Sequence, residues 1–405
     1  MNELDEVLIT RLIDRVEFGN TLILKEIGKT ITKIRNLTPS KAYQLQQMIK
    51  YGASYQTIIE RLSKITNINV NEIDEIFNQY AKKDYQFAKK FYDYKGIEYI
   101  PFERFTLLNQ QVKALSNITK IAYTNIANTS AIGFTIRDAF GNVKFKNIGD
   151  AYQYAVDQAI LSISQGKDTF DNQMHKILRD MGEGLKTIDY ASGRTRRLDS
   201  ALRMNLMGGL RDLHYETQKI IGESFGYDGW EITVHSNPAP DHADLQGKQF
   251  SIEQFDNLQN NLPATDYKGV TYTHFHRPIK QYNCYHNVRS IILGVSKPQY
   301  TDEQLELIKT KDLKGFDFDG KHYTLYQGTQ LQRQIEAEVR KQKNIQIMGV
   351  SSQNDLLTME AQYKITQLTN KYKRLSKTSG LATRMERMRV AGYHRKATRY
   401  KKVKL

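Results

Sequence analysis

The sequence predicts an α+β fold that is predominantly helical. Long helices surround a small central mixed α/β domain with irregular loops, and an extended, helical, basic C-terminal arm follows. Three observations predict this. Five of the seven prolines, the single cysteine and five of the nine histidines fall within residues 229–298. Proline is absent between Pro101 and Pro238 and after Pro298, and long proline-free stretches with apolar residues every three or four positions favour helices. Residues 371–405 hold 13 Lys and Arg against one acid, Glu386, which is +12 of the chain's +15. The chain is therefore read in five parts: an N-terminal helical region (1–95), a central helical region (96–228), the small α+β domain (229–298), a capped helix with a β-hairpin and further helices (299–370), and the basic arm (371–405). At roughly 150 residues per domain, the 405 residues correspond to two or three folding units.

Composition excludes several classes. Apolar residues make up 40% of the chain, below the usual share of about 45–50%, which predicts a surface-rich, extended molecule. Disorder throughout is excluded, because 16 Phe and 25 Tyr supply much buriable area. The best apolar run, Ile291 to Val295, falls far short of the ~20 residues of a spanning helix, so no membrane is expected. The opening Met1–Glu6 is acidic and lacks the basic and apolar regions of a secretory signal. One cysteine, Cys284, forbids an internal disulfide and suits a reducing compartment.

The elements follow from local signals. Thr38-Pro39 and the apolar spacing up to Tyr51-Gly52 read as N-cap, first-turn proline, helix and glycine stop. The helices around Gly52 loosely suggest a helix-turn-helix, but the segment has no concentrated basic face, and a scaffold is the preferred reading. Ile73, Ile76, Phe77, Tyr80, Phe87 and Phe91 form a helical stripe. Thr169 is expected to cap a helix with Phe170, Met174, Ile177, Leu178 and Met181 on one face and Gly182 at its end. Ser192 to Arg197 is a short basic loop, read as a capped helix start in preference to a phosphate contact. Gly208-Gly209 is expected to allow close helix packing or a kink. Trp230–Val234 and Val288–Leu293 have strand composition. Thr301 to Gln304 fits a capping box, and Phe316 to Thr324 a hairpin turning at Asp319-Gly320. Leu331, Ile335 and Val339 line one helix face, with Glu336 and Arg340 an i,i+4 pair. Ala361, Ile365, Leu368, Tyr372 and Leu375 make a coiled-coil-like seam that needs a partner and ends at Gly380. The chain contains neither a phosphate-cradling Gly-x-x-x-x-Gly-Lys loop nor a Gly-x-Ser-x-Gly elbow.

Two groups of residues are candidates for function. The first is His235, His242, His274, His276, Cys284 and His286, with Asp241 and Asp244 nearby. Imidazole and thiolate are the ligands zinc prefers, and His235, His242, Cys284 and His286 are the set that would bind it. Their spacing is not that of a zinc finger. The preferred reading is a polar network bracing an irregular domain, with no cofactor expected; structural zinc comes second. A metal-dependent hydrolase or nuclease, or Cys284 as a nucleophile with a histidine base, comes third, because nothing in the sequence activates this thiol. The second group is cationic: Lys371, Lys373, Arg374, Lys377, Arg395, Lys396, Arg399, Lys401, Lys402 and Lys404 would neutralise phosphates of a nucleic acid, with Tyr393 and Tyr400 placed to stack on unpaired bases. A solvated tail, or a basic flank on an acidic partner protein, is the alternative.

Several words of the sequence together resemble a family. They are Trp230–His235, Pro240–Lys248, Tyr282-Asn283-Cys284-Tyr285-His286 and Gly294–Pro298, with Asp189–Arg194 and Arg203–Asn205 upstream and Tyr323–Tyr326, Gln330–Glu336, Leu375–Leu381 and Glu386-Arg387 downstream. They are similar to the phage minor capsid protein 2 family, relatives of head-morphogenesis proteins of tailed phages. The resemblance covers most of the chain and thins over about the first hundred residues. It implies a structural virion component of the head or portal region, made in the host cytoplasm and present at low copy, with several copies per virion. The implied partners are the portal or major capsid protein and packaged DNA, and the implied roles are head assembly, DNA packaging or ejection. It marks His235, Asp241, His242, Gly247, Asn283, Cys284 and His286 as a structural motif, not a catalytic one. One departure accompanies it. Where the family has an Arg shortly before the second His and another between Cys and His, this chain has Ala239, Pro240 and Tyr285. A free cytoplasmic nucleic-acid-binding regulator is the competing reading.

Overall fold

In the computed structural model the described residues are 3–36, 53–138, 140–164, 167–189, 191–273, 277–279, 284 and 286–394. Helix α1 (Glu3–Arg35) opens the fold. Its Ile9, Leu12, Val16, Ile23, Ile27, Ile31 and Ile34 are all buried and, with buried Asn20 filling the gap after Val16, recur every three or four residues, so one largely apolar stripe runs its length. Helices α2 (Ala53–Lys95) and α3 (Thr106–Ile126) pack together beside it. A four-stranded antiparallel sheet follows, ordered β2-β1-β3-β4, from β1 (Ile132–Arg137), β2 (Val143–Asn147), β3 (Lys186–Ile188) and β4 (Thr195–Arg197). Helices α4 (Ile148–Ser164) and α5 (Lys167–Met181) connect β2 to β3, and α6 (Leu198–Phe225) leaves β4. These elements share the main core, which also takes in the far end of a later helix through Ile345, Ile347 and Met348.

A second core belongs to a three-stranded antiparallel sheet, ordered β6-β5-β9, from β5 (Gly229–Ile232), β6 (Gln249–Ser251) and β9 (Val288–Ile291). Helix α7 (Ile252–Gln259) covers it, and the short strands β7 (Ala264–Thr265) and β8 (Thr271–Tyr272) pair alongside. Trp230 is its centre, stacked on Tyr215 of α6 at 5.0 Å between rings. A third core joins the hairpin of β10 (Phe316–Phe318) and β11 (Lys321–Tyr323) to α9 (Leu325–Ser351) and α10 (Asp355–Ser379). The capping box at Thr301 starts α8 (Asp302–Lys314), and a second, Thr324 with Gln327, starts α9. The hairpin turns at Asp319-Gly320, both left-handed at φ 47° and 75°. The seam Ala361, Ile365, Tyr372 and Leu375 is buried against α9, so its partner lies in the same chain, and left-handed Gly380 ends α10. Among the described residues no helix is long and apolar enough to cross a membrane.

Several local expectations need correction. The stripe on α2 runs through Phe77, Ala81, Tyr85, Ala88 and Tyr92, all buried, whereas Phe87 is 58% exposed. Phe87 lies two positions from Tyr85 and one from Ala88, off the 4-4-3-4 row that faces the core. The Phe91 side chain, like Thr38 to Gly52, lies outside the described residues. Thr169 lies inside α5, which begins at Lys167, so it is no N-cap. Ser192 to Arg197 forms the turn and outer strand of a β3–β4 hairpin, and α6 starts without a side-chain cap. Of the Gly208-Gly209 pair in α6, only Gly209 serves close packing: a Cβ there would lie 2.7 Å from the Phe77 ring, whereas Gly208 faces open space. Arg340 turns from Glu336 toward Glu17 and Asp199, and Glu336 accepts from the Tyr372 hydroxyl at 2.8 Å.

The basic stretch from residue 371 falls into distinct pieces. Lys371, Lys373, Arg374 and Lys377 ride on the last turns of α10. After Gly380 the chain folds back, burying Met388 in the third core and Val390 in the main one. The Thr21 hydroxyl donates to the Ala391 carbonyl at 2.7 Å, and Lys343 Nζ to the Met388 carbonyl at 2.7 Å. Arg395 to Lys404 lie outside the described residues.

Two buried carboxylates face each other where α1 meets α6. Arg197 holds Asp199 through two bonds of 3.0 and 3.2 Å, and Arg340 approaches both Asp199 and Glu17. Burial would raise Asp199, but the Arg197 and Arg340 charges outweigh it and hold this carboxyl low. Burial first, then the Asp199 charge, pushes Glu17 up to about 8. Asp199 thus keeps the charge and Glu17 the proton. A folded-state pKa above the unfolded value of 4.5 means stability that is complete below pH 4.5 and lost as pH rises toward 8. Glu17→Gln should flatten that decline, gaining about 1–3 kcal/mol relative to the parent between pH 5 and pH 8. Urea unfolding at the two pH values measures this; parallel profiles for parent and variant would show that Glu17 is ionised in the folded chain.

Candidate functional site

The site is assembled where β5 ends and β9 begins. The two strands pair antiparallel with Ile232 opposite Val288, and the pairing continues beyond them: Thr233 N–H donates to the Asn287 carbonyl at 2.9 Å, and Asn287 N–H to the Thr233 hydroxyl at 2.8 Å. Residues leaving β5 therefore stay beside residues entering β9, which lays the His235 ring against that of His286, 4.2 Å between centroids. Cys284 and His286 lie just ahead of that strand, two positions apart.

His242 arrives on a helical turn. Its N–H donates to the Ala239 carbonyl, and Leu245 and Gln246 N–H donate back to the His242 carbonyl at 3.1 and 3.2 Å. Gly247 closes that turn at φ 75°, returning its N–H to the Ile232 carbonyl at 2.8 Å. A Cβ at Gly247 would lie 2.6 Å from a Leu305 methyl, which would have to shift, and the left-handed backbone itself calls for glycine.

The outcome is a buried trio. Cys284 Sγ lies 3.5 Å from His242 Nδ1 and 3.5 Å from His286 Nδ1, and the three side chains are 2%, 1% and 1% exposed. Among the described residues they are the group of His, Cys, Asp or Glu whose ligand atoms converge, all within 4.8 Å of one another. His235, the fourth expected ligand, is not one of the converging atoms; its Nδ1 meets the Ser236 carbonyl at 3.0 Å. His274, His276 and Asn283 lie outside the described residues. Asp244 pairs with Lys309 at 2.8 Å, away from the trio.

Neighbours that sequence reasoning did not select hold the trio in place. Gln246 Oε1 meets both the His235 N–H, at 3.2 Å, and His286 Nε2, at 3.4 Å. His242 Nε2 meets the Arg277 carbonyl at 2.8 Å. The Arg277 guanidinium grips both oxygens of Asp241 at 2.7 Å. Arg211 of α6 donates to the Cys284 carbonyl. Two cations thus reach the motif from elsewhere in a chain that has Ala239, Pro240 and Tyr285 at the local positions. Gln246 stands inside the recognisable sequence word, but no local signal marks Arg211 or Arg277.

The electrostatics separate the imidazoles. Burial works to lower His242, but its bonds to Cys284 and the Arg277 carbonyl, with the charges of Cys284 and Asp241, hold it above the ordinary histidine value. Burial, with His235, His242 and Arg277 close by, pushes His286 down to about 2. Burial lowers His235 as well. For Asp241, burial is outweighed by the Arg277 bonds and the neighbouring positive charges, so its carboxyl is held low. The arrangement suits holding a soft cation or bracing a loop. A hydrolytic nucleophile needs an exposed face for its substrate, and this thiol is buried.

The cationic candidates are divided. Lys371 and Arg374 both meet Asp319, at 3.2 and 3.0 Å, while Lys373 and Lys377 are exposed one turn apart. A cavity of about 1230 Å³ beside α1 is lined by eight arginines, among them Arg203, Arg333 and Arg389, but also by Asp14, Asp199, Glu336 and Glu386, which offset part of that charge, and by Glu17, which keeps its proton.

The family model described as phage minor capsid protein 2 matches residues 6–376, nearly the whole chain. The chain belongs to that family. No curated protein and no solved structure matches it.

The Asp241–Arg277 pair is the most exposed to a single change. Arg277→Met leaves a mostly buried carboxylate without its partner while its carbonyl still serves His242. It should lower stability by about 1–3 kcal/mol, because the arginine is itself partly solvated. The loss should be largest near neutral pH and shrink as Asp241 protonates in acid, since a lowered carboxyl pKa gives stability that disappears as pH falls. Denaturant midpoints at pH 7 and pH 3.5 would check this; a loss equal at both would assign the effect to packing.

Proposed function

We propose that this member of the phage minor capsid protein 2 family serves at the head of a tailed bacteriophage, docked on the portal or major capsid protein in several copies per virion. It assists head assembly or DNA packaging and ejection, and its basic C-terminal end lies against DNA. The family supports the structural virion role. The single observation that carries the DNA contact is the charge partition: +12 of the chain's +15 falls in residues 371–405. Concentrated cations bind a polyanion by releasing its condensed counterions.

Some of those cations are engaged within the fold. Lys371 and Arg374 are engaged with Asp319, and the return segment from Gly380 to His394 is packed on α1 and α9. Exposed Lys373 and Lys377, with Arg395, Lys396, Arg399, Lys401, Lys402 and Lys404, are the group assigned to phosphate. The buried state of His242, Cys284 and His286 supports bracing over hydrolysis as the work of the histidine motif.

Removing the whole segment from residue 371 would also remove Tyr372, Leu375, Met388 and Val390 from the cores, so the informative truncation falls after His394. It takes six cations away. The log–log salt dependence of duplex binding should then become shallower by up to about 5, at ~0.9 per phosphate contact. An unchanged slope would remove the tail from the DNA contact. Mass spectrometry of purified particles tests the wider reading: the polypeptide should be present in heads, and its absence would leave the free cytoplasmic regulator as the better description.

A further inference from the structure

Two imidazoles and one thiol meet in the interior with too few protons to satisfy one another. His242 Nε2 faces the Arg277 carbonyl, which only accepts, so the ring proton of neutral His242 sits on Nε2. His286 Nε2 faces Gln246 Oε1. That atom also accepts from the His235 backbone N–H, which fixes it as the amide oxygen and puts the His286 proton on Nε2 too. Both neutral rings therefore present a bare Nδ1 lone pair to Cys284 Sγ at 3.5 Å. One S–H can serve only one of them. A further proton would create a buried imidazolium, and a buried acceptor without a donor is costly as well.

A divalent cation resolves the shortage, because it accepts both lone pairs and takes the sulfur as thiolate. The spacing agrees. With Zn–S near 2.3 Å, Zn–N near 2.0–2.1 Å and tetrahedral angles, the S···N edge of a zinc site is about 3.5 Å. Both S···N separations here are 3.5 Å. The remote nitrogen of each ring rests on an oxygen, the arrangement that orients ligating histidines.

We propose that His242 Nδ1, Cys284 Sγ and His286 Nδ1 bind a structural zinc ion. On binding, the thiol proton passes to solvent, the Zn–S and two Zn–N bonds form, the ion keeps one of its waters as the fourth tetrahedral ligand, and both imidazoles stay neutral. The ion then ties the turn that carries His242 to the chain entering β9, across a sheet whose core is small. This inference does not depend on the DNA contact and stands or falls separately from it.

The test uses the full chain, expressed with added zinc and purified without chelator. Elemental analysis should find about one zinc per chain. Chelation should lower the melting temperature, and added zinc should restore it. Cobalt(II) in its place should give a thiolate-to-cobalt charge-transfer band in the near ultraviolet and tetrahedral absorption in the visible. Cys284→Ser should abolish that band, and His286→Gln should weaken zinc retention roughly tenfold or more. If neither variant folds, the parent's cobalt spectrum decides. A chain that purifies without zinc, takes up no cobalt and melts identically with and without chelator overturns the assignment. Bound cobalt without the sulfur band overturns it equally.

Discussion

A helix buried on more than one side can belong to two cores at once, and α6 is built that way. Leu202, Leu206, Leu210 and Leu213 recur every three or four residues and enter the main core. Arg211, His214, Tyr215 and Gly222 reach the small sheet instead. His214 lies between Asp84 of α2, at 2.8 Å, and the Val288 carbonyl of β9, at 3.1 Å. Tyr215 stacks on Trp230, and a Cβ at Gly222 would collide with Ser290. The strands that carry the histidine motif are thus fixed to the helical body by directional bonds and one aromatic stack. Directional bonds set position more narrowly than apolar contact does, so the motif inherits the rigidity of the larger core.

Buried charge in this molecule follows one rule with two outcomes. Where a guanidinium can reach, the carboxylate stays ionised, as Asp199 does against Arg197 and Asp241 against Arg277. Where it cannot reach fully, the group gives up its charge, as Glu17 does beside Asp199. The imidazole–thiol trio meets neither condition. The Arg277 guanidinium grips Asp241, and Arg211 addresses the Cys284 carbonyl rather than its sulfur. Two Nδ1 lone pairs sharing one thiol are what remain, and that is the geometry of a ligand set more than of an ion pair.

What could be read in advance was local. The capping box at Thr301, the Asp319-Gly320 turn, the Gly380 stop and the strand composition around Trp230 and Val288 each depend on neighbours within a few residues. The seam of α10 was also legible, though not that α9 would meet it. Errors arose where a local pattern fitted two structures. A basic, Gly-containing stretch at Ser192–Arg197 suits a helix start as well as a hairpin, and only pairing with β3 decides. The site was half legible for the same reason. Residue type alone selects His242, Cys284 and His286, but it also selects His235, which the strand register turns into a shelf for His286. Arg277 and Arg211, 36 and 73 residues from the groups they hold, have no signature that a single sequence displays.

The basic end gains meaning from how it is rooted. Arg340 and Lys343 of α9 donate to the Arg387 and Met388 carbonyls, so cations of the body fasten the backbone of a segment that is itself cationic. Repulsion between those side chains would oppose the docking, and burial of Met388 in one core and Val390 in another offsets it. The charge carried beyond His394 therefore starts from an anchored point. Under the proposed reading, exposed Lys373 and Lys377 on α10 belong to the same folded body and add their modest individual attraction for a polyanion.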